Sequence, residues 1–167
     1  MKRNGFNLIE LVVILVIIGI TGVVALIAFN PYKGIKLDAG AKKVLADLQY
    51  VRNLALSTAK WYGVIFEVDP VNTYTVYETD GTTDTVIKNP SNLGKDFIID
   101  LNNYYGGIII SSVDIGGGNK VEFHPLGKPY ADKNGSAIVS AGSIIISFAG
   151  TTKEVAITPN TGRIDAN

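Results

Sequence analysis

From Leu11 to Phe29 the chain carries no charged residue, and almost every side chain in the run is aliphatic. This segment restricts the available folds more than any other feature. Counted from Phe6 to Phe29, at a rise of about 1.5 Å per residue, it predicts a helix about 36 Å long, enough to cross a hydrocarbon core of roughly 30 Å. A helix that is apolar all round must be covered all round, by lipid or by other helices. Gly19, Thr21 and Gly22 lie inside the run, and small residues of this kind let membrane or bundle helices approach closely. Ahead of it stands the short, basic Met1-Lys2-Arg3-Asn4-Gly5. Lys2 and Arg3 predict an N-terminus held on the cytoplasmic side. With no second hydrophobic span, the rest of the chain is expected outside.

The remainder reads as one domain of average composition. The hydrophobic fraction of 47% is concentrated in the N-terminal run, and 15 Lys+Arg balance 15 Asp+Glu among 167 residues. A zero net charge argues against a protein that binds nucleic acid through a large basic field. There is no cysteine. That excludes a disulfide framework, a zinc-thiolate site and a thiol nucleophile.

Three readings compete for the N-terminal segment. A secretory signal would end in a small-residue cleavage site, whereas Asn30-Pro31-Tyr32-Lys33 follows here. A plain membrane anchor accounts for length and flanking charge but not for Glu10. An ionisable residue near the start of an apolar helix is costly and normally has a partner. The third reading accounts for all of it. Gly5-Phe6-Asn7-Leu8-Ile9-Glu10-Leu11 resembles the type III signal of type IV pilins and type II secretion pseudopilins. The resemblance implies cleavage between Gly5 and Phe6 by a prepilin peptidase and N-methylation of Phe6. It also implies that Glu10 pairs with a neighbouring subunit's N-terminal amine during filament assembly, so that each buried charge is compensated. Asn7 departs from the small hydroxyl residue usual at that place in the family.

Beyond the run, Pro31 marks a place for a kink or local break. Ala41, Val44, Leu45, Leu48, Val51, Leu54, Ala55 and Ala59 then recur at steps of three and four, predicting an amphipathic helix with one apolar stripe. Asp38 is expected to cap this second half or sit in its first turn. After Tyr62 the period becomes two. Strands are predicted at Val64–Val68, Tyr74–Glu78, Phe97–Leu101, Ile108–Ser112, Lys120–Phe123, Ser143–Phe148 and Lys153–Thr158, separated by Gly-, Pro- and Asn-rich turns. The expected fold is α+β: a long N-terminal helix, transmembrane then amphipathic, packed on a C-terminal antiparallel β-rich head. Its divisions are a leader over 1–5, a transmembrane or filament-core helix over 6–30, an amphipathic half over 31–62 and a head over 63–167.

Two further stretches narrow the resemblance. Phe123-His124-Pro125-Leu126-Gly127 is similar to the Phe-x-Pro-x-Gly stretch of the GspH/FimT group of minor pseudopilins and pilins. The segment Ile157-Thr158-Pro159-Asn160-Thr161-Gly162-Arg163-Ile164 resembles that group's final strand with Gly-Arg.

Other candidates for chemistry are weak. His124 is the sole histidine and has no second imidazole or thiol with which to build a transition-metal site. No nucleophile elbow accompanies it, so its expected place is a strand beside a turn. Asp80-Gly81-Thr82-Thr83-Asp84 has the oxygen content of a calcium loop. It is shorter than an EF-hand and lacks the closing bidentate glutamate, so the expectation is a polar Asp-Gly turn and no cofactor. Gly116-Gly117-Gly118-Asn119-Lys120 lacks the Ser/Thr and following helix of a phosphate-binding loop and is read as a flexible hairpin connection. Trp61 and Tyr62 are expected to fill the core at the helix-to-sheet junction.

The functional expectation is a non-enzymatic structural subunit. It inserts in the bacterial inner membrane as a single pass with its head periplasmic or extracellular, then enters a filament. The resemblance implies as partners the prepilin peptidase, other pilin or pseudopilin subunits, the inner-membrane assembly platform and, before assembly, membrane lipid. The alternative is a DNA-binding minor pilin of DNA uptake, with Arg163 as the DNA contact.

Overall fold

A computed structural model describes residues 7–167, with the backbone alone for 24–31. The expected cleavage pair, Gly5 and Phe6, lies outside the described residues. The chain divides into two units, one ending at Ile35 and one running from Lys36 to Asn167.

A single helix, α1, spans Leu8–Thr58. It continues through Pro31, so the break expected there is absent from the assigned helix. Because α1 has no terminus near Asp38, that residue caps nothing. Its carboxylate instead holds Lys42 one turn on at 2.6 Å and Lys153 at 2.7 Å. Those two ammonium groups draw the Asp38 carboxyl down to about 2. A depressed carboxyl contributes stability that is complete above the unfolded value of about 4 and disappears as pH falls through the folded value. The melting temperature should therefore drop between about pH 4 and pH 2, and Lys153→Met should flatten that acid limb. Melting curves at stepped pH would check it.

The amphipathic stripe behaves as expected. Ala41, Val44, Leu48, Val51 and Ala55 are buried, Leu45 and Leu54 partly so, and Leu37 joins them one turn earlier. Ala59 does not belong to the stripe: it is exposed, and its φ of 56° ends the helix. The helical boundary expected at Tyr62 therefore falls at Thr58, and Trp61 already opens the first strand.

The strands in chain order are β1 Trp61–Glu67, β2 Thr73–Thr79, β3 Asp84–Val86, β4 Lys88–Asn89, β5 Asn92–Asp96 and β6 Ile98–Asp100. A short helix, α2 Leu101–Tyr105, separates them from β7 Ile109–Asp114, β8 Lys120–Phe123, β9 Pro129–Tyr130, β10 Gly142–Phe148, β11 Thr151–Ile157 and β12 Ile164–Ala166. The strand expected over Phe97–Leu101 stops at Asp100. That residue's carboxylate accepts the Asn103 amide at 2.9 Å and starts α2, which Gly106 ends in the left-handed region. This is an N-cap competing successfully with strand propagation.

All pairings are antiparallel. One sheet runs β3-β2-β1-β8-β9, with β6 also on β2; a second runs β12-β11-β10-β7; β4 and β5 form a separate hairpin. The inward side chains of the two larger sheets, among them Val64, Phe66, Val121, Phe123, Ile144, Ile146, Val155 and Ile157, form one core with the stripe of α1. Alternation of period two puts Ser143, Ser147, Thr152 and Glu154 of β10 and β11 on the opposite face. The sheets are joined through Asn72, buried in the β1–β2 turn. Its Oδ1 accepts the Ile110 amide at 3.0 Å, while the Asp69 amide donates to the Ile110 carbonyl at 3.0 Å. The outer edge of β7 is thereby closed at Ile110.

Among the described residues no helix is long and apolar enough to cross a membrane. The apolar run of the sequence extends through Phe29, beyond the last N-terminal side chain described, Val23.

Candidate assembly surface and head junction

In the first unit, α1 opens with the carbonyl of Asn7 accepting the amides of Glu10 at 2.9 Å and Leu11 at 3.3 Å. Every described side chain from Leu8 to Val23 is exposed, including Leu8, Ile9, Leu11, Leu15, Ile18 and Ile20. The one hydroxyl among them, on Thr21, donates back to the carbonyls of Ile17 and Ile18 at 2.8 and 3.1 Å, so it makes no demand on a partner. Nothing lies within 4 Å of a side chain built at Gly19 or Gly22. A helix with apolar surface on every side is not stable in water, since each buried methylene contributes about 0.8 kcal/mol and here they are left uncovered. Glu10 stands one turn into this helix as its sole first-turn acid.

In the head, the two stretches that carried the narrower resemblance meet. In Phe123–Gly127, His124 follows β8, and its carbonyl accepts the Gly127 amide at 2.7 Å across a turn that has Pro125 at its second position. The His124 amide donates to the Lys128 carbonyl at 2.9 Å, and its Nδ1 accepts the Leu126 amide at 2.9 Å. With Gly127 at φ 78° this is a type I turn closed by a left-handed glycine. His124 thus organises the turn just beyond β8, rather than sitting in the strand where it was expected. The second stretch makes a similar turn, with Thr158 and Arg163 paired across it at 2.7 Å. Arg52 of α1 clamps both: its Nε donates to the Gly127 carbonyl at 3.2 Å and its terminal nitrogen to the Thr161 carbonyl at 3.0 Å. Only on the folded chain does Arg52 become distinguishable from the other polar residues of its helix face.

Two buried carboxylates also escaped the sequence reading. Asp47, outside the apolar stripe of α1, accepts from Tyr74 at 2.5 Å and from Lys43 at 2.7 Å. Glu122, 2% exposed, accepts from Tyr77 at 2.8 Å and from the Lys133 backbone amide, with Lys120 bridging it to Asp132. Burial pushes both tyrosine hydroxyls well above their ordinary value, and the neighbouring carboxylates add to the shift. Each acid is fully hydrogen-bonded, which is the condition for burying such a group.

The remaining candidates resolve into structural roles. Asp80 turns its Oδ1 to the amides of Thr82 and Thr83 at 2.7 and 2.8 Å, and those bonds lower its pKa. Asp84 lies at the start of β3. Gly116 and Gly117, at φ 63° and 84°, make a tight turn closed by Ile115 and Gly118. This turn is not the hairpin connection expected, because its arms enter different sheets: β7 in one and β8 in the other. Tyr62 is buried as expected. Trp61 is not: it is half-buried, meeting His124 and Tyr130 edge-on at 4.9 and 5.1 Å between ring centroids, with Lys133 over its face at 5.8 Å. Arg163 is exposed, and its guanidinium is held by Asp165 at 2.8 Å.

A long N-terminal helix whose second half packs on antiparallel sheets is the architecture of pilin heads. The solved structures that resemble it are of that class. The type IV minor pilin FimU of Pseudomonas aeruginosa is 15% identical with a TM-score of 0.52, over 78% of this chain and 92% of that one. The minor pseudopilin EpsH of the type II secretion system of Vibrio cholerae is 13% identical with a TM-score of 0.59, over 81% of this chain and 97% of that one. No protein-family model matches the chain, and no curated protein matches it in sequence. At these identities the likeness establishes the fold, a pilin-type α+β fold.

Proposed function

We propose that this protein is a minor pilin or pseudopilin, a structural subunit that is cut between Gly5 and Phe6, methylated on Phe6 and built into a filament. The observation that carries the reading is the exposed, all-round apolar surface of α1 from Leu8 to Val23, with Glu10 as its one charge. Such a surface fits a segment first solvated by inner-membrane lipid, N-terminus inside, and then transferred to a bundle of identical or similar helices. The small residues Gly19 and Gly22 permit close approach of neighbours. Glu10 offers the charge that a neighbour's free N-terminal amine would neutralise in a low-dielectric core. The prepilin peptidase and the assembly platform are the partners this route requires, and the head stays on the outer side of the membrane. Nothing in the reading calls for catalysis by the subunit itself.

Mass spectrometry of the mature chain tests the processing step. The expected product begins at Phe6 and carries one methyl group on its amine; an intact N-terminus with Met1 or an unmodified Phe6 would contradict it. The DNA-uptake alternative gains no support from the geometry, because Arg163 is already paired with Asp165. A gel shift at two salt concentrations separates the two readings, since a phosphate-binding head loses affinity steeply with salt.

A further inference from the structure

The β4–β5 hairpin belongs to neither large sheet, and every side chain of β5 is exposed. Only its root is tied to the head: the Phe97 amide donates to the Ile87 carbonyl at 2.8 Å, and Val76 of β2 bonds both residues, at 2.9 and 3.1 Å. Between this hairpin and α2 lies a groove of about 500 Å³. That size falls in the range, about 300–1,000 Å³, of sites that take a small ligand. Among the side chains that line it are Asn89, Asn92, Asp96, Ile98, Asn103 and Tyr104.

Local bonds hold the polar groups of the groove by one atom and leave the other. Oδ1 of Asn89 accepts the Ser91 amide at 2.9 Å, and Oδ1 of Asn92 accepts the Gly94 amide at 3.2 Å. A side-chain amide is planar, so each bond also sets the direction of Nδ2, and neither Nδ2 has a partner among the described residues. Asp96 gives one oxygen to Lys88 at 2.7 Å, and Asp100 gives one to the Asn103 amide at 2.9 Å; each keeps a second oxygen. The side-chain amide of Asn103 and the Tyr104 hydroxyl make no hydrogen bond among the described residues. Lys88 and Lys95 balance Asp96 and Asp100, so the groove has no net charge with which to select an ion. Tyr104 adds a ring that is 64% exposed, backed by Tyr105 at 5.4 Å between centroids, and the exposed Ile98 lines the same groove. Fixed amide donors and carboxylate acceptors around an uncovered ring match a ligand whose hydroxyls both donate and accept and whose C–H faces are apolar. A sugar ring has both properties, whereas a polyanion would find no surplus of cations.

We propose that the groove between the β4–β5 hairpin and α2 binds a neutral oligosaccharide, with one sugar ring stacked on Tyr104 and its hydroxyls bonded to the amides of Asn89, Asn92 and Asn103. Residues 88–105 alone carry this site, and it does not depend on the filament reading. The ring supplies most of the affinity, and the amides supply selectivity among hydroxyl arrangements.

The test uses the full chain, isotope-labelled in micelles of a phosphocholine detergent, which carries no sugar. The probes are cellotriose, maltotriose, N-acetylated chitotriose, the anionic trigalacturonate and a capped hexapeptide alternating alanine with serine. At least one neutral trisaccharide is expected to shift the resonances of 89–104 saturably, with a Kd of about 1 mM or tighter. It should bind at least about tenfold more tightly than trigalacturonate or the hexapeptide. Tyr104→Ala, at an exposed position, should weaken that binding about tenfold, whereas Tyr104→Phe keeps the ring and should stay within about threefold of the parent. Asn103→Ala removes an exposed amide that bonds nothing among the described residues. It should lower affinity about three- to tenfold and leave the melting temperature unchanged. Absence of binding by all three neutral trisaccharides, shifts confined to residues outside 89–104, equal or tighter binding of trigalacturonate or the hexapeptide, or full affinity in Tyr104→Ala would each overturn the proposal.

Discussion

Gly162→Ala is expected to destabilise the head by about 2–5 kcal/mol. Two costs combine. Gly162 has a φ of 65°, a conformation that disfavours any Cβ. An added Cβ would also overlap the carbonyl oxygen of Gly127, with the Arg52 guanidinium close on the other side at 3.1 Å. Neither neighbour can withdraw freely, because the Gly127 carbonyl is itself held by Arg52. Gly117→Ala is the control: its φ of 84° is equally unfavourable, but nothing lies within 4 Å of the new Cβ. That variant should lose about 1–2 kcal/mol from backbone strain alone. Urea unfolding of both variants and the parent in detergent measures the difference. Equal losses would mean that the contact between the two turns contributes nothing.

The second large effect concerns the filament. Glu10→Ala should leave cleavage and methylation intact while sharply reducing incorporation of the subunit. Removing one member of a buried ion pair leaves the other charge uncompensated, at a cost of about 3–5 kcal/mol. That corresponds to a fall of about two to nearly four orders of magnitude in the docking equilibrium. The measurement is the fraction of processed subunit recovered in sheared filaments relative to the membrane fraction. Glu10→Asp, which keeps the charge on a shorter arm, should recover part of the loss. Incorporation of Glu10→Ala at the parental level would remove Glu10 from assembly. A subunit that also failed to be processed would point to peptidase recognition instead.

Both effects originate in residues whose importance was visible to different degrees before the structure. Glu10 stood out because it interrupts an apolar helix, a local anomaly readable from the chain alone. Gly162 was visible only as part of a short Gly-Arg stretch. Nothing in its neighbours announces that the Phe123–Gly127 turn, some thirty-five positions earlier, will press against it.

The same contrast holds for the fold. The change of period from three-and-four to two located the amphipathic helix and the centres of seven strands, because burial on one face imposes that spacing directly. The short elements were not foreseen: β3, β4, β5, β9 and β12 span two to five residues each, too few for a period to show. Asp100 and Asp38 were misjudged for a related reason. A carboxylate caps a helix, continues a strand or meets a distant lysine according to what folding brings beside it.

The sequence by itself determined the apolar character of the N-terminal helix, the place of Glu10 within it, and the division between helix and β-rich head. These follow from local composition and periodicity, which act over a few turns of chain. Tertiary structure alone decided that Arg52 joins two glycine turns, and that Asp47 and Glu122 are buried among hydrogen bonds. Each depends on contacts across tens of residues, and the energy of such a contact exists only once the sheets and helix have closed on one another.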